Sequence, residues 1–267
     1  MKFRRGASGF SLIEMMLAIV AGMIVVGAVL AFTLSSLRAN SDYIRATRLT
    51  QELRTNLGFV SEDLRRAGYD ENSIGYIYQP KSHASSAFSA IGIANAGTSN
   101  SCVVYSYDRL PGTPGVRETS NGEIRAIRRV DRTVNGRTVG VLEFAESSSA
   151  NPSVTCNGGS PDYTSYPATC NGNWCSVSDP TILDITTFTL TTQDAVDMNI
   201  PGNSTTKAMQ VRRFNVELRG RLVGDPDVVR GVHAYVRVRA DCIQDFPGSF
   251  ASGSFANCAA DGGQPLP

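Results

Sequence analysis

The sequence predicts an α+β protein, in which a long N-terminal helix crosses a membrane, continues as a stalk and packs on an antiparallel, β-rich globular head. Three patterns carry this prediction. Residues 15–34 form an uncharged run of twenty, apolar positions recur at helical spacing over residues 49–64, and apolar and polar residues alternate over 213–222. The 267 residues suffice for the helix and one exported domain of about 200 residues, which is large enough to bury a core.

The apolar run has the length and the flanking charges of a membrane anchor. As a helix, residues 15–34 would span about 30 Å, the thickness of the hydrocarbon layer of a bilayer. Lys2, Arg4 and Arg5 precede the run and Arg38 follows it. This short basic leader predicts that the N-terminus stays in the cytoplasm and that the remainder is exported.

The small residues of the N-terminal region lie before the apolar run. A secretory signal has its small-residue cleavage site after the apolar stretch, so that the stretch is lost. Here Gly-Ala-Ser-Gly occupies residues 6–9, and no Ala-x-Ala-like site follows residue 34. Cleavage after Gly9 would remove a leader peptide of residues 1–9 and keep the membrane helix.

Glu14 is a carboxylate inside the apolar stretch, where burial in the bilayer costs about 2.5–3.5 kcal/mol on an insertion scale. Such a charge calls for a partner, and the run holds no cation. Cleavage after Gly9 would free the α-amine of Phe10 at the same membrane depth. Glu14 of one subunit could then neutralise Phe10 of its neighbour and set the register of assembly.

The residues Gly9-Phe10-Ser11-Leu12-Ile13-Glu14, together with the basic leader, resemble the processing motif of the class III prepilins at every position. These are the type IV pilins and the pseudopilins of type II secretion. The resemblance implies cleavage after Gly9 by a prepilin peptidase, N-methylation of Phe10, and extraction of the helix into a filament with Glu14 in the assembly role. A plain anchor with a stray glutamate fits less well, because of the energetic cost of the charge.

The helix is predicted to continue beyond the membrane. From Leu49 onward the apolar positions are spaced by four, four, three and four residues, which keeps one stripe on one face. Arg65-Arg66-Ala67-Gly68 is a helix-end signal, with cations in the last turn and a glycine just past it. We therefore assign the helix to 10–68, with a transmembrane part at about 15–34 and a stalk at about 35–68. The head is assigned to residues 69–267.

The stalk segment resembles one particular group within this family. Leu49-Thr50-Gln51-Glu52-Leu53 and Asp63-Leu64-Arg65-Arg66-Ala67-Gly68-Tyr69 resemble the corresponding segments of PilW-type minor pilins. A cysteine often follows this segment in such proteins, whereas Asp70-Glu71-Asn72 follows it here. No disulfide pattern is therefore carried over from the family.

The resemblance implies a structural subunit of a type IV pilus, without catalytic activity or cofactor, that helps prime pilus assembly. It implies a single-pass inner-membrane protein with a periplasmic head, which reaches the cell surface in the pilus. The implied partners are other minor and major pilins, the prepilin peptidase and the inner-membrane assembly platform, and a place at the tip would add a tip adhesin. A J-type minor pseudopilin of a type II secretion system is the alternative.

In the first half of the head, residues 71–100 are predicted to be a loop region with at most one short element. A strand is expected at 101–107. Residues 123–130 and 138–144 flank Asn135-Gly136, a strong signal for a β-hairpin.

In the second half, the long stretch 146–180 is rich in Ser, Asn and Gly and is predicted to be an insertion on the exposed head rather than a core element. A strand is expected at 182–190. The runs 213–222 and 232–238 flank the turn residues 224–227 and predict two antiparallel strands with one buried face. The head could form two sheets, as in related J-type pseudopilins.

Six cysteines in an exported domain indicate an oxidising compartment and disulfides. Six allow fifteen pairings, which the sequence does not resolve. Cys242 with Cys258 is the favoured pair, because it would close the Gly- and Ser-rich tail, and Cys170 is expected to pair with Cys156 or Cys175. All six are candidates: Cys102, Cys156, Cys170, Cys175, Cys242 and Cys258.

Catalytic and metal sites find little support. The sequence has no Gly-x-Ser-x-Gly, His-Glu-x-x-His or phosphate-binding Gly-Lys-Ser/Thr motif. His83 and His233 are expected at the surface, and Cys170-x4-Cys175 lacks a second pair and a histidine, so no metal is expected. A membrane-anchored exported enzyme is the third and least favoured function.

Nucleic-acid binding is also weighed, because arginines line the predicted strand faces. A solvated or subunit-contacting face explains them better than a phosphate-binding one, since Glu217 lies among them. The arginines in question are Arg213, Arg219, Arg221, Arg237 and Arg239.

Overall fold

The structure, a computed structural model, describes residues 11–71, 73, 86, 88–109, 122–164, 167–199 and 207–245. Within these ranges, the order of elements is one helix followed by nine strands. These are α1 (Leu12–Arg66), β1 (Ile91–Ala94), β2 (Cys102–Ser106), β3 (Ile124–Val134), β4 (Arg137–Glu146), β5 (Trp174–Ser176), β6 (Leu183–Asn199), β7 (Lys207–Leu222), β8 (Asp225–Arg237) and β9 (Cys242–Asp245). The chain divides into two compact units, with the boundary between Thr47 and Arg48 inside α1.

In the first unit, α1 exposes its apolar side chains. Phe32 is 76% exposed and Met23 is 70% exposed, although neither side chain favours water. By length and composition, α1 can cross a membrane. A large apolar surface of this kind calls for lipid or for neighbouring subunits to cover it.

In the second unit, the last turns of α1 pack into the main core through the predicted stripe. The five side chains of the stripe are at most 7% exposed: Leu49, Leu53, Leu57, Val60 and Leu64. They join buried side chains of both β-sheets in one hydrophobic cluster. The predicted apolar stripe is thus buried over residues 49–64, and the helix ends at Arg66, beside the predicted signal.

The first sheet has five antiparallel strands in the order β1-β2-β3-β4-β5. β3 and β4 form the predicted hairpin, in which Asn135 and Gly136 adopt the left-handed φ values of 50° and 75° that such a tight turn requires. Within the described part of 71–100, where the sequence predicts a loop region with at most one short element, β1 is a short strand.

The second sheet contains β6, β7 and β8 in that order, with β9 paired to the start of β7. On β7, Phe214, Val216 and Leu218 are buried and alternate with more exposed polar residues. The α+β class and the two-sheet head are therefore confirmed. The strand predicted at 182–190 extends further, to Asn199.

The prediction for residues 146–180 is wrong in part. The stretch 146–180 is not wholly an exposed insertion, because β5 adds to the edge of β4 and Trp174 is only 1% exposed. The indole packs with Val104, Ala126 and Val154 in a second, smaller core. The polar composition of the stretch concealed this, since its buried hydrophobic side chains are few, Val154 and Trp174 among the described residues.

The two sheets are joined at a close backbone approach. Gly140 on β4 lies against the carbonyl of Ile185 on β6, where a side chain would have no room. The amide of Gly140 donates a hydrogen bond to the carboxylate of Asp184 at 2.8 Å, and Arg129 Nε donates to the carbonyl of Ile185 at 2.9 Å. These contacts fix the first sheet against the second.

Candidate functional site

Glu14 lies in the first turn of α1 and is exposed within the chain. Its amide donates to the carbonyl of Ser11 at 3.0 Å, so the helix begins directly after the predicted processing site. Gly9 and Phe10 lie outside the described residues, and cleavage after Gly9 and methylation of Phe10 stay predictions. The carboxylate of Glu14 is free to meet a group on another subunit in the way that the sequence predicts.

Asp63 forms the polar centre of the junction between α1 and the first sheet. Its side chain is 7% exposed, and its carboxylate accepts hydrogen bonds from the hydroxyls of Tyr105 and Tyr107, the latter at 3.2 Å. Arg125 on β3 donates through Nη1 to both carboxylate oxygens, at 3.2 and 3.3 Å. Four donor contacts thus satisfy a buried charge that would otherwise cost several kcal/mol.

Arg125 also contacts residues other than Asp63. Its Nη2 donates to Glu146 at 3.0 Å, and its guanidinium lies 4.9 Å from the ring centre of Tyr107 and 5.2 Å from that of Phe144. Burial raises the pKa of Tyr105 well above its ordinary value. The tyrosine therefore remains a donor to Asp63 at neutral pH.

The C-terminal end of α1 and the residues just after it are bonded to β2 and to the segment after β8. Gly68, with φ of +76°, donates its amide to the carbonyl of Ser106 at 2.8 Å, and the amide of Arg239 donates to the carbonyl of Arg65 at 3.0 Å. These bonds satisfy backbone groups that a helix end leaves open. The end of the stalk is therefore held in one orientation on the head.

Arg212 fills the space beside Gly68. It is 5% exposed and donates to the carbonyls of Ser89 and Ala240, the latter at 3.2 Å. Burial lowers its pKa to about 10, so the guanidinium is still charged at neutral pH. A Cβ atom on Gly68 would lie 2.6 Å from Arg212 Nη2, which leaves room for glycine alone.

A second buried ion pair holds the stretch after β4. Glu143 is fully buried and accepts from Arg128 Nη2 at 2.7 Å and from Arg132 Nε at 2.7 Å. The hydroxyl of Tyr163 donates to the same carboxylate at 3.0 Å, and the guanidinium of Arg128 stacks on Trp174 at 3.6 Å. Arg128 also donates to three backbone carbonyls at 2.7 Å, those of Cys156, Gly158 and Gly159.

Disulfides also hold the stretch after β4. Cys102 at the start of β2 is bonded to Cys156, a pairing that the sequence did not favour, and Cys170 is bonded to Cys175, one of the two partners left open for it. Cys242 is buried and disulfide-bonded. Cys258 lies outside the described residues, so its pairing with Cys242 stays a prediction.

Sequence reasoning missed the residues of the junction. Asp63 directly precedes Leu64 of the apolar stripe, and Tyr105 and Tyr107 share one face of a strand. A carboxylate beside a buried stripe is the signal that could have singled out Asp63. Its partners could not be found in that way, because they lie 42 to 62 residues away in the sequence.

Comparisons with known proteins agree with the division into an N-terminal motif and a helix-and-sheet region. The family model of the prokaryotic N-terminal methylation motif matches residues 4–30, which include the predicted processing site and Glu14. The family model of prepilin peptidase-dependent protein B matches residues 42–238, which include most of the stalk, strands β1 to β8 and the Asp63 junction. No curated protein and no solved structure matches the chain. Because the second match covers more than half of its length, the chain belongs to the prepilin peptidase-dependent protein B family and is a pilin-like protein with a prepilin methylation motif.

Proposed function

We propose that this protein is a PilW-like minor pilin, a structural subunit that helps prime the assembly of a type IV pilus and takes its place in the complex at the tip. In this proposal it catalyses no reaction of its own. Its head is periplasmic and its helix crosses the inner membrane before assembly, and both are at the cell surface afterwards.

The observation that carries the proposal is the continuity of α1 with the methylation motif. The motif match ends at residue 30, within a helix that runs from Leu12 to Arg66. The apolar side chains of its first unit are exposed, and Glu14 is available in its first turn. Such a helix suits lipid before assembly and the helices of other subunits afterwards.

The stalk segment supports the PilW-like assignment. Asp63 and Gly68, both part of the segment that resembles the PilW-type stalk, each have a structural role at the helix–head junction. The resemblance therefore rests on residues that the fold uses. Other minor and major pilins, the prepilin peptidase, the inner-membrane assembly platform and a tip adhesin are the partners in this proposal.

Mass spectrometry of the N-terminus tests the proposal in two fractions, sheared surface filaments and membranes. We expect a chain that starts at N-methylated Phe10 in the filaments. Methylated Phe10 in the membranes alone would contradict the pilus assignment and favour the pseudopilin. An intact Met1 in both fractions would refute the prepilin reading altogether.

The role of Glu14 needs a separate variant. We expect Glu14→Gln to be cleaved and methylated normally but to be depleted from filaments, because the neutral side chain cannot pair with the α-amine of Phe10. Glu62→Gln is the matched control, since Glu62 is an exposed carboxylate on the same helix. Equal incorporation of the two variants would argue against the assembly role.

A J-type minor pseudopilin of a type II secretion system is the second candidate. The two-sheet architecture of the head favours it, and the family match does not separate it from a pilin. Deletion of the gene distinguishes them. Loss of surface pili with normal protein secretion supports the minor pilin, whereas the reverse supports the pseudopilin.

A further inference from the structure

The two edges of the second sheet differ in how they are covered. The outer edge of β6 is bonded to the segment before β2. The amide of Phe188 donates to the carbonyl of Ser99 at 2.8 Å, and the amide of Ser101 donates to the carbonyl of Phe188 at 3.0 Å. Gly97 adds a bond from its amide to the carbonyl of Leu190 at 3.0 Å. Residues 188–190 of this edge are therefore covered by the chain itself.

β8 forms the opposite edge, and within the described ranges its only strand partner is β7. Residues 229–237 pair one to one with residues 221–213 without a bulge. They include no proline and no lysine, the residues that commonly protect an edge from pairing. A regular nine-residue edge of this kind offers a row of amides and carbonyls to a further strand.

The side chains of β8 indicate the chemistry of that strand on the core-facing side. Val232 and Ala234 are only partly buried although they pack against the main core, whereas Val236 is 1% exposed. An added strand with apolar residues on this side would finish covering them. On the outer face Tyr235 is 69% exposed, beside a groove of about 580 Å³ that includes Gly231 and His233.

Charge indicates the chemistry on the outer side. Arg237 lies on the same face as Tyr235 and His233, and residues 229–237 contain no carboxylate. Arg237 lies directly opposite Arg213 on β7, and like charges in that position repel. Asp241 approaches Arg237 only to 3.9 Å. A carboxylate on a third strand would relieve the repulsion between the two arginines.

We propose that the free edge of β8 binds an extended segment of a partner polypeptide in which apolar and acidic residues alternate. The segment joins the second sheet as an added strand, held by backbone hydrogen bonds and selected by side chains on each face. A second copy of β8 fits less well, since its regular part would bring arginines and no carboxylate. The inference goes beyond the proposed function, because it applies equally to a pilus and to a secretion system.

A model peptide tests the proposal on the full-length chain in detergent. The probe is a nine-residue peptide of alternating valine and glutamate, and the control peptide has lysine in place of glutamate. We expect the glutamate peptide to bind and to slow hydrogen exchange of amides within 229–237, and the lysine peptide to do neither. Equal binding of both peptides, or binding without protection of β8, would overturn the proposal.

Charge reversal supplies a second test. Arg237→Glu should weaken binding of the glutamate peptide about fivefold, the loss expected for one exposed ion pair. Arg137→Glu, an exposed arginine on the hairpin of the other sheet, should leave it unchanged. If the β8 amides are already protected before any peptide is added, at every protein concentration, the edge is not free and the proposal is overturned. If that protection grows with protein concentration, a second copy of the chain covers the edge, and the proposed choice of partner is overturned.

Discussion

Asp63, on the last turn of α1, and Arg125, on β3, form a buried ion pair in which the carboxylate and guanidinium are 3.2 Å apart and each side chain is less than a tenth exposed. The two residues are 62 positions apart in the sequence. Their contact sets the helix against the first sheet, so the stalk and the head of the second unit depend on one another.

Replacement of Asp63 by asparagine should lower the free energy of unfolding by up to about 3 kcal/mol, because the buried Arg125 would keep its charge with only the half-exposed Glu146 as a carboxylate partner. Urea unfolding of the full-length chain in detergent measures the loss. Glu62→Gln removes the neighbouring, exposed carboxylate and should change the stability by less than about 0.5 kcal/mol. Similar losses in the two variants would contradict the structural weight assigned to the ion pair.

Gly68→Ala and Gly58→Ala should have opposite effects. At Gly68 the left-handed φ of +76° and the nearby Arg212 both oppose a side chain, and we expect a loss of about 1–3 kcal/mol. At Gly58, in the helix interior with nothing within 4 Å of the added atom, alanine should stabilise by up to about 1 kcal/mol. Thermal unfolding of both variants measures these changes in stability. A stabilised Gly68→Ala would refute the close approach of Arg212.

The two described disulfides should differ in their contributions. Cys102–Cys156 closes a loop with a sequence separation of 54 and Cys170–Cys175 one of 5. The chain-entropy model gives about 4 and about 2 kcal/mol for these loops. Double serine variants of each pair, compared by urea unfolding, should reproduce this order, and the reverse order would show that loop closure is not the dominant effect.

The free energy of unfolding should fall at alkaline pH, because the hydroxyl of Tyr105 loses its proton there in the unfolded chain. Burial, followed by the nearby Asp63 carboxylate, raises the pKa of this tyrosine well above its ordinary value of 10.0. The folded chain therefore keeps a proton that the unfolded chain releases, so the contribution is complete below pH 10 and is lost as the pH rises toward the folded pKa.

The measurement is the free energy of unfolding from about pH 8 to about pH 11 in the native chain and in Tyr105→Phe. The variant lacks the hydroxyl, so we expect it to be less stable at pH 8 but to decline less steeply. Parallel curves would mean that Tyr105 does not retain its proton in the folded chain.

Features that depend on neighbouring residues could be predicted from the sequence. The stripe from Leu49 to Leu64 follows from helical periodicity, and the turn at Asn135 and Gly136 follows from the left-handed backbone that these residues tolerate. The candidate processing site was found in the same way, because its charges, small residues and apolar run are contiguous.

Features that depend on residues far apart in the sequence could not be predicted from it. Asp63 and Arg125 each look like surface residues until the fold brings them together. The pairing of Cys102 with Cys156 depends on the way in which Arg128 draws the backbone of 156–159 onto β3. No periodicity records such contacts, because each partner comes from a different element.

Trp174 is the sole tryptophan of the chain, and it lies under the guanidinium of Arg128 in the smaller core. Its fluorescence therefore reports on one place, the attachment of β5 and the stretch after β4 to the first sheet. Circular dichroism at 222 nm, by contrast, is dominated by the 55-residue helix. The molecule thus carries two separate optical signals, and the order in which they change on denaturation reveals whether the head opens before its stalk.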